Sequence, residues 1–432
     1  MNYIGIDLGT TGCKSILFGE NGGTLAEFYQ EYALIANGES VEQDANLWWN
    51  LICEAVKTVA RAANGDVAAL SISSQGISFV PVNEKGEPLY NAISWLDTRA
   101  HTELSEIGDR FGEEAVYART GKRLNGAYTY SKLMWMIRNL PEVYKEAYKI
   151  LLPLDYLNFR LTGNPVTDHS MASGTMFYNI NARDWDDELL AFGQIDRDKL
   201  PAIGTAGDFV GKLLPEVADA LGLSRDVEVY LGAQDQKCAA IGAGIDEDSC
   251  TVSLGTSTAI TKFQTKPMVD PAVKVPCFVL DETHWVSEFA LSTTGAALRW
   301  LSQKLFDGKS YQELDLLAEQ APVGCNGVRF DCDLTADGAI TGLRLSTTQG
   351  DIVRALYEGI GRSILDAVNK MGGAKRLLIF GGGSKSDIWC RVIAEVTGMS
   401  VCVLSTPETA NLGAAILASK RKMPSAEIIK TY

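Results

Sequence analysis

The chain has 432 residues, of which 46% are hydrophobic and 22% charged, a balance typical of a folded globular protein rather than a disordered or fibrous one. A chain of this length is expected to form two domains of comparable size with a cleft between them. Lysine and arginine (39) against aspartate and glutamate (54) give a net charge of −15, which argues against nucleic acid or an anionic membrane as the main partner.

Cysteine usage and the absence of a targeting pattern suggest the compartment. The nine cysteines are scattered and do not group with the three histidines, so neither a zinc site nor a disulfide framework is expected. The first residues lack the basic start and apolar run of a signal peptide, and no stretch approaches the roughly 18 apolar residues of a membrane span. The sequence therefore predicts a cytoplasmic protein with no membrane partner. The sequence leaves open whether the protein forms a homodimer.

The first element is a predicted hairpin, with strands over 3–8 and 14–18 and a glycine turn between them. Its chemistry-bearing residues are Asp7, Gly9, Thr10, Thr11 and Lys14. A glycine turn lets the backbone approach a phosphate, threonine hydroxyls donate to its oxygens, and an aspartate at a strand end can hold hydrated Mg²⁺. An ordinary hairpin turn explains the same residues, so this pattern alone does not decide between the two interpretations.

Further along, apolar residues between 47 and 59 share one helical face behind a candidate cap at Asp44. Asp235 follows a predicted strand over 227–231 and precedes a run of small residues. A carboxylate at a strand's carboxyl end can accept the proton of a substrate hydroxyl during phosphoryl transfer. The alternative is an aspartate that caps the following helix.

The hairpin pattern recurs in the second half of the chain. A strand over 251–254, the turn Gly255, Thr256 and Ser257, and a strand over 259–262 repeat the order of the first hairpin. We interpret this as an internal duplication, with the domain boundary near 243–248 and domains over 1–244 and 245–432. Two matched glycine turns can bind one polyphosphate from both sides, which favours nucleotide binding over a coincidence of turns.

A third glycine cluster, Gly381 to Gly383 followed by Ser384, lies between a predicted strand over 377–380 and a predicted helix over 388–397. Bare backbone there can receive a flat ligand such as adenine or its ribose. A close strand-to-helix packing turn is the alternative. A helical face over 352–368 and a strand over 401–404 complete the alternation of helices and strands, which indicates an α/β fold.

Taken in order, these segments resemble the FGGY family of carbohydrate kinases over nearly the whole chain. The Gly5 to Lys14 hairpin is similar to the family's first phosphate hairpin, and Trp95, Asp97 and Arg99 are similar to its sugar-side Trp-x-Asp-x-Arg segment. The remaining matches are the central run (152–157, 160–163 and 167–175), the segment of the catalytic aspartate around Asp235, the second phosphate hairpin (253–257), the adenosine segment (381–389) and the closing helix (412–415).

The resemblance implies two actin-like, ribonuclease H-like domains with mixed sheets flanked by helices, closing on MgATP and a small sugar or polyol. It implies Asp235 as catalytic base and Asp7 with Asp235 near the metal. The nucleotide would be bound by Gly9, Thr10, Thr11, Lys14, Gly255, Thr256, Ser257, Gly382, Gly383 and Ser384, and the sugar by Gln75, Trp95, Asp97, Asp155 and Asp235. The plain alternatives are that Trp95 is core and that Asp97 and Arg99 form a surface pair.

Two departures from the family bear on the substrate. Members that resemble xylulose kinases carry Met-His in the sugar-side loop, where this chain has Ser74-Gln75-Gly76, and the 324–342 segment is short and lacks the Gly-Glu-Arg-x-Pro run. We expect phosphorylation of D-xylulose to xylulose 5-phosphate. Gluconate, ribulose, erythritol and glycerol are alternative substrates, and a non-catalytic actin-like nucleotide switch is an alternative function.

Overall fold

A computed structural model of the protein describes all residues, 1–432. The strands are β1 (Asn2–Leu8), β2 (Gly12–Gly19), β3 (Thr24–Glu31), β4 (Ile35–Asn37), β5 (Ser40–Gln43), β6 (Val67–Ser74), β7 (Val80–Val82), β8 (Ala92–Ile93), β9 (Lys149–Leu151), β10 (Val166–Asp168), β11 (Tyr178–Asn179), β12 (Asp184–Trp185), β13 (Ala202–Gly204), β14 (Phe209–Lys212), β15 (Glu228–Gln234), β16 (Ser249–Leu254), β17 (Thr258–Gln264), β18 (Cys277–Val279), β19 (Trp285–Leu291), β20 (Arg329–Asp331), β21 (Ala339–Thr341), β22 (Arg376–Phe380), β23 (Ser400–Leu404) and β24 (Ile428–Thr431).

The α-helices are α1 (Ala45–Ala60), α2 (His101–Phe111), α3 (Glu113–Thr120), α4 (Thr129–Asn139), α5 (Pro141–Glu146), α6 (Pro153–Thr162), α7 (His169–Ala172), α8 (Asp187–Gly193), α9 (Pro215–Leu221), α10 (Asp235–Ala243), α11 (Gly295–Leu305), α12 (Tyr311–Gln320), α13 (Gln349–Lys370), α14 (Asp387–Thr397) and α15 (Thr409–Ala418). None of them combines the length and the apolar character that crossing a bilayer requires.

By its internal contacts the chain divides into two compact units. The first comprises 1–242, 264–286 and 409–425, and the second comprises 243–263, 287–408 and 426–432. The first break follows Gly242, close to the predicted boundary at 244/245, and the first unit is completed by two segments from the second half of the sequence. The domain limits given by the sequence pattern stay a prediction.

The first unit is built on a mixed six-stranded sheet with the order β14-β15-β6-β1-β2-β3. Strand β1 pairs antiparallel with β2 and parallel with β6, and β6 pairs parallel with β15. The central strands β1 and β6 are buried on both faces along most of their length, so other elements must cover both sides of the sheet. Helix α1 contributes one covering face, with Trp48, Leu51, Ile52 and Val56 buried and Asp44 accepting a hydrogen bond from the Asn46 N–H as the predicted cap.

The second unit repeats this pattern. In the sheet of order β18-β19-β17-β16-β22-β23-β24, strand β16 pairs antiparallel with β17 and parallel with β22, which pairs parallel with β23. Strand β16 thus occupies the position of β1, and β17 that of β2. The predicted duplication of the hairpin is confirmed, and it extends to the neighbouring parallel strands. The α/β class with mixed sheets and flanking helices is confirmed as well.

Candidate active site

The first glycine turn connects β1 to β2 and is fixed by backbone contacts. The Gly9 N–H donates to the Gly12 carbonyl at 2.9 Å, and the Tyr32 N–H donates to the Thr11 carbonyl at 2.9 Å. The Tyr32 hydroxyl donates to the Gly9 carbonyl. Thr11 itself is exposed. The hydrogen bonds within the turn and from Tyr32 therefore fix its backbone, and the exposed side at Thr11 is accessible to a ligand.

Asp7 and Lys14 lie opposite each other on the paired strands of this hairpin. The Ser73 hydroxyl, on the neighbouring strand β6, donates to Asp7 Oδ1 at 2.6 Å. Lys14 Nζ lies 3.2 Å from Glu27 Oε2. The serine fixes one carboxylate oxygen of Asp7 at the end of the sheet, as a metal ligand needs from its neighbours.

Three adjacent parallel strands end at one edge of the first sheet. In register, Leu8 of β1 lies beside Ser74 of β6, which lies beside Gln234 of β15. Neighbouring strands are about 4.8 Å apart, so the residues that follow these three strand ends are brought together. They are Gly9, Gln75 and Asp235. We call this the strand-end edge. The Gln75 N–H donates to the Leu8 carbonyl at 2.7 Å, which ties two of the strand ends to each other.

Asp235 is the first residue of α10 and is partly exposed. Its Oδ1 accepts a hydrogen bond from the Gln236 N–H at 2.6 Å. The capping interpretation and the base interpretation are compatible, because the carboxylate that begins the helix also lies at the strand-end edge.

A chain of polar contacts links the glycine turn to two predicted sugar-side residues. The indole N–H of Trp95 donates to Thr10 Oγ1 at 3.0 Å, and the Gln43 amide donates to the Thr10 carbonyl at 2.8 Å. The Gln75 amide donates in turn to Gln43 Oε1 at 3.2 Å. The Trp95 side chain is 36% exposed, so it lies at the protein surface beside the glycine turn and is not part of the core. Gln43 was not predicted from the sequence.

Asp97 lies deeper, in a buried ion pair. Arg99 donates to both of its oxygens from Nε and at 2.6 Å from Nη2, and the Val41 N–H donates to Oδ2 at 2.7 Å. Arg99 also binds Glu42 at 2.8 Å. Asp97 is fully buried, so the alternative of a surface pair is wrong. The cluster joins the Trp95 segment to β5.

Asp155 is also fully buried, at the third position of α6. Its Oδ2 accepts from the Leu152 N–H at 2.9 Å, and burial raises the pKa of the carboxyl well above its ordinary value. This carboxyl caps the helix. The structure gives it no bond to the residues of the strand-end edge.

The second glycine turn, between β16 and β17, is fastened to the start of α11. The Gly295 N–H donates to the Gly255 carbonyl at 3.0 Å, and the Ala296 N–H donates to the Thr256 carbonyl at 2.9 Å. Thr256 and Ser257 are exposed. The Thr256 hydroxyl accepts from Arg299 Nη2 at 3.4 Å, so exposed hydroxyls lie beside a helix N-terminus and an arginine, an arrangement that suits phosphate oxygens.

A pocket of about 440 Å³ lies in the second unit and is called here the C-terminal pocket. Its lining comprises Gly255, Thr256, Gly295, Leu298, Arg299, Tyr311, Gln312, Asp315, Tyr357, Gly382, Gly383, Lys385, Ser386 and Trp389. Two predicted glycine segments therefore meet in one cavity. Ser384 is not part of the lining, and its hydroxyl donates to the Gly381 carbonyl at 2.8 Å.

One wall of the C-terminal pocket is organised by Asp315. Its Oδ1 accepts from the Tyr357 hydroxyl at 2.7 Å and from the Ser386 hydroxyl at 2.8 Å. Tyr357 stacks on Trp389 with ring centroids 5.0 Å apart. Burial, and then the Asp315 carboxylate, raise the pKa of Tyr357 well above its ordinary value. Flat apolar rings, bare glycine backbone and one carboxylate acceptor suit a nucleobase and its ribose.

Sequence reasoning missed Asp315 and Tyr357. The capping box of Ser310 and Glu313 marks the start of α12, and the apolar face of α13 marks its buried side. Neither signal tells which polar side chain on these helices turns toward a shared cavity, because that depends on how α12, α13 and α14 pack together.

Comparison with known proteins finds matches to both halves of the chain. The N-terminal domain model of the FGGY family of carbohydrate kinases matches residues 2–242, and the C-terminal domain model matches residues 250–421. The xylulose kinase of Escherichia coli (strain K12) is 31% identical over 99% of this chain and 92% of its own length.

Two solved structures are similar over the whole chain. A ligand-bound xylulose kinase and a gluconate kinase, both from Lactobacillus acidophilus, are each 28% identical, with a TM-score of 0.93, and cover 100% of this chain and 93% of their own. With both domain models matched in order, the chain belongs to the FGGY family of carbohydrate kinases, which are phosphotransferases that use ATP as phosphate donor.

Proposed function

We propose that this kinase transfers the γ-phosphoryl group of ATP to D-xylulose and forms xylulose 5-phosphate. The observation that carries the proposal is the strand-end edge, where a carboxylate (Asp235), an amide (Gln75) and a glycine turn follow three adjacent strand ends. The names of the relatives support the sugar, since xylulose kinases are similar to this chain over nearly its full length.

In the proposed step, Asp235 accepts the proton of the sugar's 5-hydroxyl as that oxygen attacks the γ-phosphorus. A new O–P bond forms, the bond from the γ-phosphorus to the ADP oxygen breaks, and ADP leaves with the electron pair of that bond. The position of Asp235 directly after β15, at the strand-end edge, supports this role.

The proposed sugar contacts come from two layers of the first unit. Trp95 forms the outer layer, with its indole face proposed against the carbon skeleton. Gln75 is nearly buried, and its amide already donates to Gln43 and accepts from Ser78, so a sugar hydroxyl would share or displace these partners. Asp97 and Asp155 are proposed as deeper contacts. Their bonds to Arg99 and to the Leu152 N–H mean that a sugar hydroxyl would share carboxylate oxygens that already have partners.

The nucleotide is proposed to place its adenosine in the C-terminal pocket, against Gly382 and Gly383 with Ser384 behind them. The residues of the two glycine turns are proposed to donate to its phosphates: Gly9, Thr10, Thr11, Lys14, Gly255, Thr256 and Ser257. The exposure of Thr11, Thr256 and Ser257 supports this assignment. That both turns bind one nucleotide stays a prediction.

Mg²⁺ is proposed at Asp7 and Asp235. The residues fit this ion, because Mg²⁺ in kinases is bound by one or two carboxylates together with phosphate oxygens and water rather than by an all-protein cage. The chain has no cluster of three or more His, Cys, Asp or Glu side chains that could hold a metal unaided. The ion would neutralise charge on the phosphates, and the Ser73 hydroxyl orients Asp7 toward this task. Cytoplasmic location and a homodimer stay predictions.

Phosphorylation of gluconate is the second candidate, since a gluconate kinase is as similar to this chain as a xylulose kinase is. Ribulose, erythritol and glycerol are further alternatives, and a non-catalytic nucleotide switch is the alternative outside enzyme chemistry. A coupled assay of ADP release over D-xylulose, gluconate and these polyols separates the candidates. D-Xylulose is expected to give the largest kcat/KM, and a larger value for another compound would replace it as substrate.

Asp235→Asn tests the base. We expect kcat to fall by about 10²- to 10⁴-fold while ADP binding, measured by calorimetry, stays near that of the wild type. Asp219→Asn is the control, because this aspartate lies in an exposed ion pair with Arg225 and should leave kcat unchanged. Near-normal turnover of Asp235→Asn would remove the assignment.

A further inference from the structure

Lys132 is a fully buried lysine on α4 that ordinary packing does not explain. Its Nζ donates to the Ala127 carbonyl at 2.6 Å and to the Trp95 carbonyl at 3.3 Å. Both acceptors are backbone carbonyls, and neither is a carboxylate. Burying an ammonium group without an ion-pair partner is unfavourable, so these two hydrogen bonds are the contacts that offset the loss of its hydration.

The two carbonyls bound by Lys132 belong to segments that border the same cavity. Trp95, Asn125, Gly126 and Ala127 are among the residues that line a pocket of about 290 Å³. Lys132 joins the Trp95 segment to the 125–127 loop from the buried side. On the other side, the Trp95 ring is fixed by its bond to Thr10 Oγ1 at 3.0 Å. The backbone and the ring of Trp95 are thus held by two different residues.

We propose that Lys132 is a positioning residue for sugar binding: it holds the backbone of Trp95 so that the indole ring lies beside the first glycine turn. The inference rests on the proposed function, in which Trp95 contacts the sugar. It concerns how the sugar is bound and applies to whichever sugar the enzyme turns over. Lys132 acts through Trp95 and does not touch the reacting atoms.

The charge of Lys132 gives the proposal a pH dependence. The pKa of its ammonium group is lowered to about 7, mainly by burial. The Asp97 carboxylate acts in the opposite direction, and Arg99, which is itself paired with Glu42, lowers the pKa further. Below this value the group is an ammonium, and hydrogen bonds from a charged donor are roughly twice as strong as neutral ones. Above it the amine is neutral and the bonds weaken. The KM for sugar is therefore expected to rise between about pH 6 and pH 8.

Lys132→Met tests the proposal against a matched control. Lys149 also donates to two backbone carbonyls, those of Asp198 at 2.6 Å and Leu200 at 2.8 Å, in a segment that contains no proposed site residue. We expect Lys132→Met to raise the KM for sugar by about 10- to 100-fold with little change in the KM for ATP, and Lys149→Met to change neither. Equal behaviour of the two variants would overturn the inference.

A double-mutant cycle with Trp95→Phe decides whether Lys132 acts through Trp95. If it does, the two substitutions together raise the KM for sugar by clearly less than the product of their separate effects. A purely multiplicative result would show that Lys132 does not act through Trp95 and would overturn the inference.

Two further outcomes are decisive. If Lys132→Met does not fold, the wild-type pH profile replaces it, and a KM for sugar that stays flat from about pH 6 to pH 8 would contradict the proposal. If the wild type turns over none of the sugars, polyols or sugar acids, the proposed function fails and this inference fails with it. If the wild type is active but Lys132→Met and Lys149→Met behave alike, only the inference fails.

Discussion

The carboxylate of Asp315 holds together one wall of the C-terminal pocket, because it accepts from both Tyr357 and Ser386. Asp315→Ala leaves the buried tyrosine hydroxyl without its acceptor. Removing one partner of a buried hydrogen bond costs about 1–3 kcal/mol. We expect a loss of stability of this order and a KM for ATP raised about tenfold, while the KM for sugar is unchanged. Steady-state kinetics with each substrate varied in turn measures both constants.

Glu319→Ala provides the control on the same helix. Glu319 binds Arg391 at 3.0 Å in a half-exposed pair, and such surface pairs contribute about 0–1 kcal/mol. Neither KM should change. If Asp315→Ala and Glu319→Ala had the same kinetics, Asp315 would have no part in binding the nucleotide.

At single positions, the sequence predicted residues whose role follows from a local pattern. The two glycine turns and Asp235 were recognised because a turn or a strand end is visible in a few consecutive residues, and the structure puts them at such places. Gln43, Lys132 and Asp315 were not recognised. Each acts across elements distant in sequence, and their own neighbourhoods differ little from those of ordinary polar residues on a strand or helix.

Among the elements, α15 is packed against α10 through glycine. A Cβ atom at Gly413 would lie 1.9 Å from the Cys238 carbonyl oxygen, and one at Gly242 would lie 1.9 Å from the Thr409 carbonyl oxygen. These helices touch backbone to backbone, and α10 begins at Asp235. The packing of α15 therefore fixes the helix that carries the proposed base.

Gly413→Ala should force the two helices apart. Since the clash is with backbone rather than a flexible side chain, we expect a loss of about 3 kcal/mol or more in the free energy of unfolding, together with a lower kcat. Urea denaturation measures the first and the ADP assay the second. Gly222→Ala, at the left-handed end of α9 with open space around it, should lose only about 1 kcal/mol and keep kcat.

The cap of α7 makes stability depend on pH. Asp168 accepts from the N–H groups of Ser170 and Met171, and burial raises its pKa from 3.8 to about 6. A raised carboxyl pKa means that the folded state favours the protonated form, so stability is greatest below the unfolded pKa and is lost as pH rises through the folded pKa. Two pKa units correspond to about 3 kcal/mol at most.

Asp168→Asn keeps a capping side chain and removes the ionisation. Relative to this variant, the wild type should lose stability between about pH 4 and pH 7, which denaturation at the two pH values measures. The control is Asp44→Asn at the exposed cap of α1, where the side chain stays in water and little difference is expected. If the difference in stability between the wild type and Asp168→Asn does not change with pH, the prediction is wrong.

The helices and strands predicted from the sequence are those with clear apolar periodicity or glycine punctuation, and most elements between residues 75 and 226 were not predicted. The paired hairpins, α1 with its cap, and the order of α13, β22, α14 and β23 follow from apolar periodicity and glycine punctuation. The edge strand β3 was not predicted, because its side chains are mostly exposed and leave no apolar alternation to read.

In the molecule as a whole, eight of the nine cysteines are buried and all are unpaired; Cys53 is the partly exposed one. Burial raises the pKa of Cys53 to about 11, so even this thiol is mostly protonated at neutral pH. Titration with a thiol-reactive disulfide reagent should therefore find at most one slowly reacting group in the native protein and nine in denaturant. Rapid reaction of several thiols in the native protein would show that the fold is looser than described.

The division into two units could be predicted only in outline. The duplication of hairpins marks the main break, and the structure separates its units two residues before the predicted limit. The return of 264–286 and 409–425 to the first unit could not be predicted, since it depends on long-range contacts such as that of Gly413 with Cys238, which no local pattern encodes.

The arrangement of three strand ends at one edge suggests how the sugar specificity of this enzyme could be altered. The proposed proton acceptor, Asp235, follows β15, the glycine turn follows β1, and Gln75 follows the strand between them. Mutational libraries restricted to residues 75–77 would vary the proposed sugar contact at Gln75, and variants that lose the bond from Gln75 to Gln43 would also loosen the support of Thr10 in the glycine turn. The middle loop is thus a natural target for laboratory evolution toward new sugars.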